Sequence, residues 1–380
     1  MKGSFDRALQ SALAVSGMVA IFLLLTAAAQ SRQVGRIVPA SVGAVFSETN
    51  QTNNQILYYT RQLNGTLTLV GKYSTQGQGY ASEHASQGSV AISQDRKFLY
   101  AANYGSSDVT AFSVSRTGLT FVGRYSSGGT NPFSIAIYGN LLYVLNFGDP
   151  QNVYGFLRNA DGSLTPLNSS QPVSGLKVQA LQVGFTNNGK ALVVTEEIGE
   201  SVDTYLVNSS GTINPGQFQP SAGRGPFGFA FDQRNHLLVS EALTSSMSSY
   251  HLAPTGIITP ITGELDDFGR AACWVAVTNY PGAGPQYAYV TNTKSDTLSG
   301  YSVSSDGTLA LLNPSDGITY AFPTGAFPLD EGIDQSNSYL YVLAQRAGSI
   351  YVFNINADGS VAVNSITKGL PTGSFGIVAY

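Results

Sequence analysis

The chain has 380 residues, of which 43% are hydrophobic and only 11% charged, with 42 glycines, 21 tyrosines and 19 phenylalanines. This composition suits many short strands joined by tight turns better than amphipathic helices. The net charge of −4 comes without a long run of Lys and Arg, so the sequence gives no support for nucleic-acid binding. The single cysteine, Cys273, excludes an internal disulfide, and the sequence has no Cys/His cluster of the kind that binds structural zinc.

The first residues are typical of an export signal. Lys2 and Arg7 precede an apolar stretch at 12–29, which ends in three alanines. This layout predicts a signal peptide over residues 1–29, followed by a linker over 30–42. The alternative is an uncleaved membrane anchor, because the apolar stretch approaches the length of a bilayer span. Either interpretation predicts a secreted or extracytoplasmic protein, with membrane contact only if the segment is uncleaved.

Four sequence signals for N-linked glycosylation lie beyond this segment. Their asparagines are Asn50, Asn64, Asn168 and Asn208, each followed two residues later by Ser or Thr. Such signals mark surface loops of exported proteins in eukaryotes, so we expect a glycoprotein. The alternative is that these triplets arise by chance, because Asn, Ser and Thr are frequent in the turns of this chain.

A turn signal recurs along the whole chain: a small or Asx residue, then glycine, then an apolar residue one or two positions later. Examples are "ADGSL" at 160–164 and "SDGTL" at 305–309. These turns predict hairpins, because glycine takes the positive φ that such turns need. The seven glycines are separated by 44 to 53 residues and stand at positions 65, 118, 162, 211, 256, 307 and 359.

A second signal, a short apolar stretch entered through a turn, also occurs seven times, as in "PFSIAI" at 132–137 and "PFGFAF" at 226–231. Each unit then supplies three more strands. Seven four-stranded units with this period predict an all-β fold, a seven-bladed β-propeller over residues 43–380. The first unit lacks its innermost strand, and we expect the terminal "SFGIVAY" to supply it and close the ring.

With units such as "GSVAISQDRKFLYAANYGSSDVTAFSV", the sequence resembles the lactonase-type seven-bladed propellers, the family of 6-phosphogluconolactonase and carboxy-cis,cis-muconate cyclase. The resemblance covers roughly residues 43–380. It implies a site built from histidines and arginines at the starts of several inner strands. The corresponding residues of this chain include no histidine, so the pattern of the family is not carried over; they are Ser89, Ser134, Gln182, Gly228, Trp274, Asp330 and Ser374.

Polar residues nevertheless recur where the second strands end and the inner strands begin, and these two positions share one rim of an antiparallel blade. The second strands end on Glu48, Asn103, Asn146, Glu196, Glu241 and Asn292, with Ala344 as the exception. The loops before the inner strands add His84, Lys177, Arg224 and Arg270, and the seventh inner strand adds Asp330 and Glu331. Convergent polar groups in a concavity are the usual starting hypothesis for a site.

We assign candidate roles to these residues. Glu241 or Glu196 would act as general base, while Arg224 and Arg270 would hold a substrate carboxylate and stabilise the oxyanion. The candidate substrate-binding residues are His84, Asp330, Glu331, Asn103, Asn146 and Asn292. The alternative is that the strand-end side chains cap main-chain groups in turns. We expect no cofactor and no metal ligands, although rim carboxylates would also suit Ca²⁺.

Two functions of different classes follow. The first is an exported lactonase or muconate cycloisomerase-like enzyme for a small carboxylated or sugar-derived lactone. The second is a non-catalytic secreted propeller that binds a ligand, glycan or protein partner through the same mouth. Export argues against a cytosolic phosphorylated lactone as substrate. We expect a monomer whose partner is a small molecule.

Overall fold

The computed structural model describes residues 41–82, 86–279 and 285–380. The predicted signal peptide, the predicted linker up to residue 40, and His84 lie outside the described residues. The strands within residues 41–380 form seven antiparallel sheets, which we call blades 1 to 7 in chain order. Within the described ranges, no helix is long and apolar enough to cross a bilayer.

The strands of blades 1 to 4 run as follows, from the innermost strand outward. Blade 1 contains β29 (Phe375–Ala379), β1 (Ser41–Glu48), β2 (Gln55–Gln62) and β3 (Leu67–Ser74). Blade 2 contains β4 (Val90–Ile92), β5 (Phe98–Asn103), β6 (Asp108–Ser115) and β7 (Gly118–Ser126). Blade 3 contains β8 (Pro132–Tyr138), β9 (Leu141–Asn146), β10 (Asn152–Arg158) and β11 (Leu164–Pro172). Blade 4 contains β12 (Ala180–Phe185), β13 (Ala191–Glu196), β14 (Ser201–Leu206) and β15 (Gln217–Pro220).

Blades 5 to 7 repeat this order. Blade 5 contains β16 (Pro226–Phe231), β17 (His236–Glu241), β18 (Ser246–Leu252) and β19 (Ile258–Asp266). Blade 6 contains β20 (Ala272–Val277), β21 (Gln286–Asn292) and β22 (Thr297–Val303), and its outer strand is broken into β23 (Leu309–Leu311) and β24 (Ile318–Ala321), which both pair with β22. Blade 7 contains β25 (Pro328–Ile333), β26 (Tyr339–Ala344), β27 (Ser349–Ile355) and β28 (Val361–Lys368).

The inner strands contact one another in order around a closed ring: β4, β8, β12, β16, β20, β25, β29 and again β4. Blade 1 is completed by the end of the chain, because β29 pairs antiparallel with β1. The main-chain N–H groups of Ala44 and Tyr380 each donate to the other residue's carbonyl, at 3.1 and 3.0 Å. The predicted seven-bladed propeller and its closure by the C-terminal strand are therefore confirmed.

One detail of the predicted alignment is wrong. Val378 pairs with Phe46, two residues before the end of β1, just as Ile135 pairs with Val144 in blade 3. Ile377 therefore occupies the position equivalent to Ser134, which the alignment gave to Ser374. The inner strand of blade 1 has a bulge here, opposite Ser47 and Glu48, as blade 3 has between Pro132 and Ser134.

The predicted glycine turns also join neighbouring blades. Hydroxyl groups of one blade donate to the carbonyl of the turn glycine in the next blade at 2.6 to 2.8 Å; the pairs are Tyr100–Gly162, Tyr143–Gly211, Thr204–Gly256, Ser249–Gly307 and Tyr289–Gly359. At Gly162 the backbone has φ of +85°, and a Cβ there would overlap the ring of Phe98. Two features therefore require glycine at position 162: the positive φ of the backbone and the close approach of blade 2.

Candidate functional site

The strand-end residues of the predicted rim lie beneath the loops that lead into their own blades. Asn146 donates through Nδ2 to the Ser127 carbonyl at 3.0 Å, and Glu241 accepts from Ser221 Oγ at 3.1 Å. All six polar strand-end side chains are fully buried. Asn103 and Asn292 lie against glycines of the loops before their blades and donate to Asp108 and Ser299, respectively. Asn146 thus makes the main-chain contact that the sequence left open as an alternative, whereas Asn103 and Asn292 donate to side chains of the third strands.

The beginnings of the inner strands form an apolar cluster instead of a polar mouth. Phe133, Leu181, Phe227, Cys273 and Leu329 occupy equivalent positions in blades 3 to 7, and all five are buried in one hydrophobic cluster. Since these side chains come from most of the ring, they fill its centre at this level. This cluster could have been predicted from the sequence. In each of these five blades, an apolar residue directly precedes the inner-strand position that we compared with the family.

Asp330 and Glu331 connect the inner strands of adjacent blades. Asp330 accepts from the main-chain N–H of Ile377 at 2.8 Å, and Glu331 accepts from that of Ala276 at 2.9 Å. Burial raises the pKa of both carboxyl groups well above the usual range. Gln182 makes a similar pair of hydrogen bonds to the Phe229 main chain. The two carboxyl groups therefore accept hydrogen bonds from main-chain N–H groups of the neighbouring inner strands. Both are buried.

The two predicted arginines lie on successive loops and do not pair with the predicted glutamates. Arg224 Nε donates to Glu200 Oε1 at 3.0 Å, and the two side chains are 66% and 45% exposed. Arg270 is exposed, and its main-chain N–H donates to Ser295 Oγ at 3.0 Å. The four residues proposed for catalysis therefore do not converge as one constellation.

A cleft of about 420 Å³ opens over blade 4, on the side of the ring where the second strands end. Its walls consist of Ser174, Gly199 to Ser201, and Phe218 to Arg224. Arg224 and Glu200 form one wall as an ion pair. Glu196 and Glu241 lie directly behind this surface, since they bond to Ser174 and Ser221, which both line the cleft. Three of the four predicted catalytic residues thus belong to or adjoin one concavity.

A series of three contacting side chains leads inward from this cleft. Ser174 is exposed, and its hydroxyl donates to Glu196 Oε2 in a short hydrogen bond while its main-chain N–H donates to Glu196 Oε1 at 2.8 Å. Glu196 in turn lies within hydrogen-bonding contact of the buried Asp203 carboxyl. Burial, and next the adjacent Glu196, raise the pKa of Asp203 to about 9. This raised pKa favours a protonated Asp203 carboxyl that can donate a hydrogen bond to Glu196.

Asp203 was missed by the sequence analysis, and it distinguishes blade 4 from the other blades. Glu196 pairs with Ser201 at the start of β14, and Asp203 stands two residues further along that strand. The residues at the equivalent position of other blades are Thr110, Tyr154, Ser248, Ser299 and Tyr351. A comparison of the repeats at this position would have revealed the second carboxyl group.

Blade 5 presents a similar but simpler arrangement to the same cleft. Ser221 is half-buried and donates to Glu241, which also accepts from Ser246 at 3.2 Å. Burial raises the pKa of Glu241 to about 7. The third position holds Ser248 rather than a carboxyl group, so this pair lacks the shared proton of blade 4.

No group of three or more His, Cys, Asp or Glu side chains within residues 41–82, 86–279 and 285–380 is arranged to hold a metal ion. These ranges therefore give no support to the suggestion that rim carboxylates bind Ca²⁺.

Residues 45–180 match the family model described as "Lactonase, 7-bladed beta-propeller". A comparison with curated protein sequences gives no match. Among solved structures, a putative 6-phosphogluconolactonase from Bacteroides uniformis is 17% identical, with a TM-score of 0.72 over 88% of this chain and 99% of that one. The periplasmic gluconolactonase of Pseudomonas aeruginosa is 15% identical, with a TM-score of 0.69 over 88% and 98%. A protein from Lactobacillus plantarum is 19% identical, with a TM-score of 0.71 over 90% and 100%.

At these identities the structural comparisons establish the fold, while the family model adds a sequence match for the first blades. The family resemblance inferred from the repeats is thus supported by the match over residues 45–180, and the chain as a whole is a seven-bladed β-propeller.

Proposed function

We propose that the chain is an exported hydrolase that opens a small lactone in the cleft over blade 4. The observation that carries this proposal is the series of contacts from exposed Ser174 through Glu196 to Asp203. A nucleophile, a base that accepts its proton, and a third group that orients the base form the general pattern of an activated serine. The family match over residues 45–180 supports a cyclic ester as the bond that is broken.

The proposed reaction has two steps. Glu196 accepts the hydroxyl proton of Ser174 while the Oγ atom bonds to the lactone carbonyl carbon. The ring C–O bond then breaks, and its oxygen leaves as an alcohol after taking that proton from Glu196. Next, Glu196 deprotonates a water molecule, which cleaves the acyl ester and releases a hydroxy acid as Ser174 regains its proton. Asp203 stays protonated throughout and holds the Glu196 carboxylate in position through its own hydrogen bond.

Arg224 is placed to stabilise negative charge on the substrate, either on a carboxylate or on an oxyanion that forms during the reaction. Its Nε is bound to Glu200, which leaves the two terminal nitrogens without a partner among the described residues. A guanidinium in this position would stabilise the oxyanion or bind a substrate carboxylate. A cleft of about 420 Å³ suits a small ligand. We therefore propose a carboxylated or sugar-derived lactone as substrate, taken up by a secreted monomer that needs no cofactor.

A pH-stat assay of the secreted protein against a panel of aldono- and muconolactones tests this function. Ser174→Ala and Glu196→Gln should each lower kcat by about 10²-fold or more, because proton transfer to a positioned base contributes about 10²- to 10⁴-fold. The matched control is Ser221→Ala, which removes the same hydroxyl in blade 5 and should keep most of the activity. Loss of activity in the control with retention in Ser174→Ala would move the reaction to Glu241.

Absence of turnover on every lactone would favour the second candidate, a secreted propeller that binds a ligand or partner. The observation that favours binding is a set of exposed apolar side chains in the loops around the apolar cluster of the ring: Tyr80, Leu176, Ile198, Leu243 and Phe268. Solvent-exposed apolar residues grouped on one face mark interaction surfaces.

A further inference from the structure

Asn50, the first of the four glycosylation signals, is locked into the seam where the ring closes. Its side chain is fully buried. The Nδ2 atom donates to the carbonyls of Ser82 and Gly373 at 3.0 and 3.1 Å, and Oδ1 accepts from the Tyr80 N–H at 2.6 Å. Gly373 stands two residues before β29, so this amide ties blade 1 to the segment that brings in the closing strand.

A glycan at Asn50 is incompatible with this arrangement. Attachment replaces one of the two Nδ2 hydrogens, and both are used in hydrogen bonds to main-chain carbonyls. It would also place a bulky, hydrated group at a position with no exposed surface, whereas glycans belong at the protein surface. A chain modified at Asn50 before folding would therefore be unable to seat the segment around Gly373.

The other three asparagines are exposed. Asn64 and Asn208 lie in the hairpins between the third and fourth strands, at the end of the blades opposite to the cleft. Thr66 and Ser210, the hydroxyl residues of the two signals, donate to the Oδ1 atoms of these asparagines at 2.7 and 2.6 Å. Asn168 lies on the outer strand of blade 3 with a positive φ of 52°. A glycan at any of these positions would extend into solvent.

We propose that Asn64, Asn168 and Asn208 are modification sites that carry N-linked glycans, whereas Asn50 stays unmodified in the folded protein. The same three-residue signal therefore has two outcomes in this chain, decided by whether the asparagine is exposed or forms part of the ring closure. This assignment is independent of the catalytic proposal, since none of the four asparagines contributes a side chain to the cleft.

The test is to produce the full chain, with its own N-terminal segment, in a eukaryotic secretory host. Release of the glycans from the secreted protein with a peptide N-glycosidase in H₂¹⁸O converts each modified asparagine into labelled aspartate, which peptide mass mapping locates. We expect label at Asn64, Asn168 and Asn208 and none at Asn50. Label at Asn50 in folded monomer overturns the proposal, as does a protein without label at the other three positions or one that is retained without glycans.

A matched pair of variants separates glycosylation from folding. Thr52→Ala destroys the signal at Asn50 through an exposed residue and leaves the Asn50 amide intact, so we expect the same glycan number and the same Tm as in the wild type. Asn50→Gln also destroys the signal but breaks the hydrogen bonds of the seam, and we expect a lower Tm with an unchanged glycan number. A Thr52→Ala protein that is lighter by one glycan would overturn the proposal.

Discussion

Glu48 is a buried acid at the end of β1, and its replacement by glutamine should make the ring more stable in alkali. The carboxyl is fully buried and accepts from Asn54 Nδ2 at 2.9 Å. Burial raises its pKa from 4.5 to about 8, and the charge of Asp330 adds to this effect. The folded protein therefore keeps this proton up to about pH 8, while the unfolded chain releases it near pH 4.5.

This difference in proton binding makes the unfolding free energy fall as the pH rises. The stabilising contribution of protonated Glu48 is complete below about pH 4.5 and is lost as the pH rises through about 8. At about 1.4 kcal/mol per pH unit, the loss over this interval amounts to roughly 5 kcal/mol. Glu48→Gln is neutral at every pH and can still accept from Asn54. Its unfolding free energy should equal that of the wild type within about 1 kcal/mol at pH 5 and exceed it by several kcal/mol at pH 9.

Urea unfolding at pH 5 to 9 measures both proteins, and the difference between their midpoints at each pH isolates Glu48 from the other buried acids. Glu264→Gln, which removes an exposed carboxylate from β19, serves as the control for the change in net charge. The reasoning is refuted if Glu48→Gln shows the same pH dependence as the wild type, or if it is less stable than the wild type at pH 9.

Three further predictions concern closure, the site and a turn. Deletion of residues 375–380 removes the inner strand of blade 1, so we expect aggregation and loss of cooperative unfolding in size-exclusion chromatography and thermal denaturation; a monomer that unfolds cooperatively would argue against the closure. Because the pKa of Asp203 is raised, wild-type lactonase activity should fall in alkali as this carboxyl group loses its proton, whereas Asp203→Asn should keep its activity there, and identical pH profiles would contradict the shared proton. Gly162→Ala combines a left-handed φ with overlap on a neighbouring ring, so it should lower the unfolding free energy by more than the left-handed strain of about 1 to 2 kcal/mol alone. Gly369→Ala, at a positive φ with open space around it, should lose only that strain, and equal losses would contradict the overlap.

The number of blades and the ring closure were predictable because turn glycines are visible in the sequence. Six of the seven hairpins between third and fourth strands have a glycine with positive φ at the predicted position, whereas Gly118 of blade 2 begins β7 without a positive φ. The register of β29 was harder to predict. The irregularity at its start recurs in blades 3 to 7, but β29 has Phe375 and Gly376 where blade 3 has Pro132 and Phe133, so the residue types that mark this point elsewhere are missing.

The candidate site was only partly predictable, for two physical reasons. Glu196 was found because strand ends can be read from the repeat, but its contact with Asp203 crosses to the neighbouring strand and depends on register. The burial of the rim depended on how the Gly- and Ser-rich loops fold over it, as at Asn103 beneath Gly77. Loop conformation of this kind is set by packing against the next blade and leaves no periodic signal.

The pairing of β1 with β29 also determines how the molecule responds to mechanical load. The two strands are antiparallel, and Ala44 pairs with Tyr380, so the chain enters and leaves the ring at the same end of the pair. A force that pulls the two ends apart would act on the hydrogen bonds one after another, in peeling geometry, rather than on all of them in shear. The ring would therefore open at a low force along this single seam, while the hairpin-connected strands of blades 2 to 7 remain unloaded.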